Sequence, residues 1–199
     1  MPSVVQTKEM REAILDATDR LLSIYGYKKM TIDDLAREVG IGKGSVYLHF
    51  SSKEEIVLSH IDRIVERVKF ELNRIAESDC DCSECLRQML SARITIRFES
   101  VQHYTQNLND LLADLRPKLL ARRRQYFLEE AEIFARVIEK GQKSGALRGD
   151  DAFRSAETLL LATNSLLPYS LTASELGERE EIEEKANRLA KILIRGLEK

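Results

Sequence analysis

The chain has 199 residues, 43% hydrophobic and 32% charged, with 31 Lys and Arg against 33 Asp and Glu for a formal charge of −2. That balance belongs to a globular chain with room for one or two small domains and a real core. It carries no global nucleic-acid signature, and only three Pro and nine Gly speak against an all-β fold rich in turns. No apolar run reaches the length of about 18 residues needed to cross a membrane, and the start, MPSVVQTKEM, lacks a basic-then-apolar export signal. The expected location is cytoplasmic, with no membrane partner.

Helical period runs through nearly every segment. Ile14, Ala17, Leu21 and Leu22 form one apolar stripe, predicting a helix over roughly 8–25 with Gly26 as its stop. Thr31 stands where an N-cap belongs, and Asp33 and Asp34 follow in the first turn, where the helix dipole favours acids. Ile32, Leu35, Ala36 and Val39 face inward on this second helix, and Gly40 ends it. Gly42 caps a third short helix that runs to about Phe50, with Val46 and Phe50 inward. Ser52 and Glu55 read as a capping box. They open a long helix with Ile56, Ile61, Ile64, Val65, Val68, Leu72 and Ile75 on its buried side.

The stretch GIGKGSVYLHF, residues 40–50, looks at first like a phosphate cradle. A P-loop would need glycine at position 37, which is Arg37, and Ser or Thr after Lys43, which is Gly44. What precedes it is a helix, not a strand. The stretch is therefore the corner of two short helices packed on a first one. An ordinary helical hairpin has the same outline. The outward residues of the third helix differ from a hairpin's: Lys43, Ser45, Tyr47 and His49 donate hydrogen bonds or carry charge, and Gly44 permits close backbone approach. Such groups suit phosphates and base edges.

These residues carry a resemblance. MTIDDLAREVGIGKGSVYLHFSSKEEIV is similar to the DNA-binding domain of the tetracycline-repressor (TetR) family of bacterial transcription regulators. The match runs over about 45 residues from Gly26-Tyr27 through Thr31, Leu35-Ala36, Gly40, Lys43-Gly44, Tyr47, His49-Phe50 and Lys53-Glu54-Glu55. Val39 and Gly42 depart from the family's usual Ala and Ser. The resemblance implies an all-α protein. A three-helix DNA-binding domain, residues 1–53 with the helix-turn-helix at about 31–50, would precede a helical effector-binding and dimerisation domain, residues 54–199. It implies a homodimer on double-stranded, near-palindromic operator DNA, usually as a repressor, released by a small-molecule effector. Thr31, Lys43, Gly44, Ser45, Tyr47, His49 and Lys53 are the expected DNA-binding positions.

Beyond residue 60 the pattern continues as helices over roughly 83–100, 105–115, a long one after Pro117, 150–167 and 178–197. The last two carry wide stripes, Leu159, Leu160, Leu166 and Leu167 on one and Leu189, Leu193 and Leu197 on the other. Leu159, Leu166, Leu189, Leu193 and Leu197 are the expected dimer seam. Phe98, His103, Tyr104, Tyr126, Phe127 and Asn164 are candidates for a mostly hydrophobic effector pocket. Arg122, Arg123 and Arg124 read as a solvated face pairing with Glu129, Glu130 and Glu132.

Cys80, Cys82 and Cys85 fall between two helices. Three thiols at this spacing suit a metal ion or redox chemistry if a fourth ligand arrives. Only three are local, and acidic neighbours disfavour thiolates, so the expectation is an exposed loop and a metal- or redox-sensing regulator is the alternative. No H-E-x-x-H or G-x-S-x-G motif occurs. The expected protein is not an enzyme and needs no cofactor.

Overall fold

The computed structural model describes residues 4–102, 104, 113–149, 151–168 and 170–199. Among these the chain is a succession of helices without a strand, as the period predicts. A single antiparallel bridge joins Leu147 to Glu198.

Helix α1, Val4–Lys29, turns Ile14, Ala17, Leu21 and Leu22 inward. Gly26 interrupts the helix where the stop is expected: at φ 70° and ψ 170° it leaves the helical path, and a separate short turn follows to Lys29. Helix α2, Ile32–Val39, starts with a complete capping box, in which Thr31 accepts from the Asp34 amide and the Asp34 carboxylate accepts from the Thr31 amide at 3.0 Å. Helix α3, Lys43–His49, follows. Helix α4, Lys53–Ala76, is capped by Ser52, which accepts from the Glu55 amide at 3.1 Å. The Glu55 carboxylate reaches Ser51 rather than Ser52, so the expected box closes one residue early.

Helix α5, Cys82–Glu99, begins at an Asp81 cap. The helix expected at 105–115 falls largely outside the described residues; Ala113–Leu115 is a 3-10 turn. Helix α6, Arg116–Ser144, has Pro117 in its first turn, where a missing N–H costs nothing, and ends at Gly145 with φ 78°. Helix α7, Ala152–Asn164, a short α8, Ala173–Leu176, and α9, Arg179–Arg195, complete the chain. Helix α4 packs on α1, α5 and α6, α7 packs on α6, and α9 lies mainly along α5.

Two apolar cores result. One joins Ile14, Leu21, Leu35, Val46 and Phe50 to Ile56 and Val57 of α4. The other joins Val68 and Leu72 of α4 to Leu86, Leu90, Phe134, Ile138, Leu159 and Ile194. Each such side chain contributes about 1.5–3 kcal/mol on burial. A smaller cluster packs Phe98 and Ile94 against Leu176 and Ile182.

The second core contains a charge network. Glu130, expected on a solvated face, is fully buried. Its carboxylate accepts from Arg93 Nε at 2.6 Å and from an Nη of Arg97. Arg122 also departs from the expected pairing along its own helix and binds Asp62 of α4. The reason is register: on a 29-residue helix gripped by α4, α5 and α7, a charged residue at an inward position must bring its counter-charge with it. Burial pushes the Glu130 carboxyl up, but the Arg93 and Arg97 charges and their hydrogen bonds outweigh it and hold the pKa below the ordinary value.

Replacing Glu130 by Gln leaves the two arginines without their shared carboxylate, and the expected loss is about 3–5 kcal/mol of unfolding free energy in urea melts. The sign with pH follows from the lowered folded pKa. The wild-type contribution is present above the unfolded carboxyl pKa of about 4.3 and is lost as pH falls through the folded value. The Gln variant should lack that acid-side dependence.

Candidate nucleic-acid interface and cavity

The corner between α2 and α3 is built by backbone chemistry. Gly40 adopts φ 77°, a left-handed conformation that side chains resist, so the Ile41 N–H reaches the Ala36 carbonyl at 2.9 Å and the Gly40 N–H that of Arg37 at 3.2 Å. This closes α2 and redirects the chain into α3. Val46 and Phe50 are buried beneath α3. Arg11 of α1 lies over the Phe50 ring at 4.1 Å and donates to the His49 carbonyl, clamping the end of α3 from below. The clamp gave no sequence signal, because α1 and α3 meet only in the folded chain.

The opposite face of α3 is open. Lys43, Gly44 and Tyr47 are exposed, and Ser45 and His49 are half-buried. A Cβ at Gly44 would meet nothing within 4 Å, so no neighbour among the described residues requires glycine there. Leu48, 84% exposed, shares this face and is not among the sequence candidates. Lys43 Nζ lies 2.8 Å from the Asp33 carboxylate; that hydrogen bond and the Asp33 charge raise its pKa. Both partners are half exposed, so the pair is readily exchanged for another anion. Lys53 is held more firmly: Nζ donates to the Tyr27 and Met30 carbonyls at 2.9 and 3.1 Å and sits 4.2 Å above the Tyr27 ring. Two of its three donors thus tie α4 to the end of α1. The Thr31 hydroxyl is engaged in its cap, and His49 Nδ1 is buried without a hydrogen-bond partner among the described residues.

A cavity of about 160 Å³ lies between α4, α5 and α6. Four sequence candidates, Tyr104, Tyr126, Phe127 and Asn164, line it. Phe98 does not; it points into the cluster with Leu176 and Ile182. His103 lies outside the described residues. Among the polar lining residues that the sequence reading did not name as pocket candidates are His60 and the α5 arginines, Arg93 and Arg97. The arginines were accessible to it, because position 93 continues the inward register of Leu86, Met89 and Leu90, and position 97 is one turn on. Asn164 Oδ1 accepts from Arg93 Nη2 at 3.0 Å.

The cavity wall is bonded to α1. Tyr104 donates to Asp19 Oδ1 at 2.9 Å, and His60 Nε2 lies 3.1 Å from the Tyr104 hydroxyl and 3.2 Å from the same carboxylate oxygen. Burial, then the Asp19 charge, push the Tyr104 pKa up, so its hydroxyl remains a donor. One turn further along α4, Arg63 binds Glu12 and Asp16 of α1 at 3.1 and 2.7 Å. Burial and the hydrogen bond to Asp62 likewise raise the Tyr126 pKa.

The cysteines do not occupy an exposed loop. Cys82 and Cys85 are buried in the first turn of α5, and Cys80 is joined to Cys85 by a disulfide. Cys82 stands apart, and no group of three His, Cys, Asp or Glu suited to a metal ion occurs among the described residues. Of the expected dimer seam, Leu159 is only 3% exposed, inside the chain's own core, so it offers no apolar side chain to a partner. Leu193 and Leu197 pack partly on that core, Leu166 packs on the smaller cluster, and Leu189 is half-buried. The fully outward apolar residues of α7 and α9 are Leu161 and Ile192, 62% and 63% exposed.

Comparison with known proteins bears on the amino-terminal corner first. The family model described as "Bacterial regulatory proteins, tetR family" matches residues 14–59, which span α2, α3 and the parts of α1 and α4 that hold them. The chain is 25% identical over 173 residues to the HTH-type transcriptional regulator TtgR of Pseudomonas putida, covering 81% of this chain and 80% of that one. It is 28% identical over 145 residues to the HTH-type transcriptional repressor KstR2 of Rhodococcus jostii, covering 70% and 69%. Among solved structures, a TetR transcription regulator from Haloarcula marismortui superposes with a TM-score of 0.78 at 22% identity, covering 96% of this chain and all of that one. FadR of Bacillus subtilis, solved with stearoyl-CoA, gives 0.72 at 15% identity, covering 93% and 98%. With the corner formed by α2 and α3 matched in sequence and the whole helical architecture matched in shape, the chain belongs to the TetR family and is a DNA-binding, helix-turn-helix transcriptional regulator.

Proposed function

We propose that this regulator is a homodimeric repressor whose α3 reads a near-palindromic operator, and that a small, mostly hydrophobic effector in the cavity releases it. The observation that carries the reading is the division of α3 into a buried face, Val46 with Phe50 behind it, and an open face of Lys43, Gly44, Tyr47 and Leu48. Residues 1–53 form the DNA-binding part, and residues 54–199 hold the effector and the dimer seam. Lys43 exchanges Asp33 for a phosphate, and Lys53 offers its remaining donor. Tyr47 meets a phosphate or a base edge, while Ser45 and His49 lie nearer the bases. Leu48 suits a thymine methyl. One relative, KstR2 of Rhodococcus jostii, is a transcriptional repressor, which supports this direction of regulation.

The release mechanism follows from the bonds between the cavity and α1. An effector that displaces Tyr104 or His60 loosens their hold on Asp19, and α1 carries α2 and α3 with it. Release requires that the effector bind the DNA-incompetent arrangement more tightly, by as much as it weakens DNA binding. A repressor of this kind acts in the cytoplasm, where its DNA is.

Lys43→Ala should weaken binding to all DNA sequences alike and lower the salt slope by about 0.9, one phosphate's worth. Tyr47→Ala should weaken binding as well. Anisotropy titrations at several salt concentrations, on DNA flanking the gene, measure both; unchanged binding in the two variants overturns the assignment.

His60→Phe keeps the volume and removes the hydrogen bonds to Tyr104 and Asp19. DNA binding should then weaken even without effector, and effector-dependent release should require lower effector concentrations; an unaltered release curve rejects this route.

The dimer should form through the outward faces of α7 and α9. In sedimentation runs the wild type should migrate at twice the chain mass of 22.8 kDa. Leu161→Glu with Ile192→Glu should return it to a single folded chain with weaker operator binding. A wild type that sediments as one chain at micromolar concentration refutes the dimer.

A further inference from the structure

We propose that the effector is a carboxylate-bearing amphiphile, held by its apolar body against α4 and α6 and by its anionic head at Arg97. This deepens the effector reading above and rests on it. Among the described residues lining the cavity, Arg93, Arg97, Arg123 and His60 are the basic ones, and none is Asp or Glu. The carboxylates packed behind the wall are each already engaged. Glu130 is held by Arg93 and Arg97, Asp62 by Arg122 and Tyr126, and Asp19 by Tyr104 and His60.

The two arginines that share Glu130 are not equivalent. Arg93 is 1% exposed and distributes its donors over Glu130, Thr163 and Asn164. The side chain of Arg97 keeps 26% exposure, and its hydrogen bond among the described residues is the one from Nη2 to Glu130. A guanidinium has five N–H donors in a planar fork suited to a carboxylate. At the wall of this cavity, donors of Arg97 remain for a second anion. Ile61, Ile64, Phe127 and Leu167 supply apolar contact for the rest of the ligand. A neutral apolar guest would desolvate the guanidinium without replacing its water, and a cation would be repelled. The cavity, at about 160 Å³, is below the usual range for ligand sites of about 300–1,000 Å³. It suits one short chain or a single ring.

The experiment titrates the full chain, by calorimetry and thermal shift, with octanoate, 1-octanol and octylamine, three probes of equal chain length and different charge. Octanoate should bind at least tenfold more tightly than octanol, and octylamine more weakly than either. Arg97→Gln leaves the Arg93–Glu130 pair in place. It should bind octanol as the wild type does and lose at least tenfold in octanoate affinity, with Arg97→Lys intermediate. If octanol equals octanoate in the wild type, the anionic head is wrong and the apolar effector site stands. Octanoate preference that persists undiminished in Arg97→Gln places the anion elsewhere and overturns the role of Arg97. If neither probe binds, both this inference and the effector reading at this cavity fail.

Discussion

The structure depends on one shared helix. Helix α4 gives Ile56 and Val57 to the core beneath the DNA-facing corner, and Val68, Leu72 and Ile75 to the core of the helical body. At 1.5 Å per residue these two sets lie about 20 Å apart on one hydrogen-bonded rod. Such a rod curves gently but does not kink sharply without a proline, a glycine, a π-bulge or an inserted group, and none of the 24 residues is Pro or Gly. A displacement of its middle must therefore be taken up at its ends or at the contacts with α1. Beside the apolar packing, those contacts include polar, specific ones: Arg63 to Glu12 and Asp16, and His60 to Asp19. An apolar interface would slide. A set of directed hydrogen bonds has fewer acceptable positions.

The charges of the molecule divide by burial, and their roles divide with them. On the open face of α3, the Lys43–Asp33 pair is half exposed and weakly held, so it can be exchanged for a phosphate at little cost. In the body, Arg93 and Glu130 are both removed from water, and each depends on the other. Removing Glu130 strands the buried charge of Arg93, so this site resists change, while the surface pair does not. Arg97 stands between the two cases, bonded to Glu130 at one end and partly open at the cavity. The same distinction separates Lys53, fixed by two carbonyls and an aromatic face, from Lys43, although both lie in the matched motif.

Helix α3 illustrates how a short element is held rigid. Seven residues are too few for a stable isolated helix. Its order comes from the Gly40 corner before it, from Val46 and Phe50 beneath it, and from Arg11 stacked on Phe50 at its end. With the inner face and both termini secured, the outer face is free of any structural duty. That is why an exposed leucine and a glycine in open space persist there.

The sequence alone determined what depends on local chemistry. Helix after helix was legible in the 3.6-residue period. The α2–α3 corner was legible in Thr31, Asp34 and Gly40, since caps and left-handed turns are decided within a few residues. The exposed face of α3 followed from alternation around Val46. A small part of the cavity lining was readable too: Tyr104, Tyr126, Phe127 and Asn164 were found because aromatic and amide groups stand out in an apolar helix. Phe98 was misplaced because a helix has more than one buried side, and period alone does not say which neighbour each side meets. Leu159 was misplaced for the same reason, since a stripe wide enough for two partners gave no sign that the chain's own core takes part of it. Only the tertiary structure decided that Glu130 lies inside, that Cys80 meets Cys85, and that Asp19 touches the wall of a cavity built by residues 41 and 85 positions later. Those contacts join segments distant in sequence, and whether a charge is buried or solvated is settled by which helices close around it, not by the residues beside it in the chain.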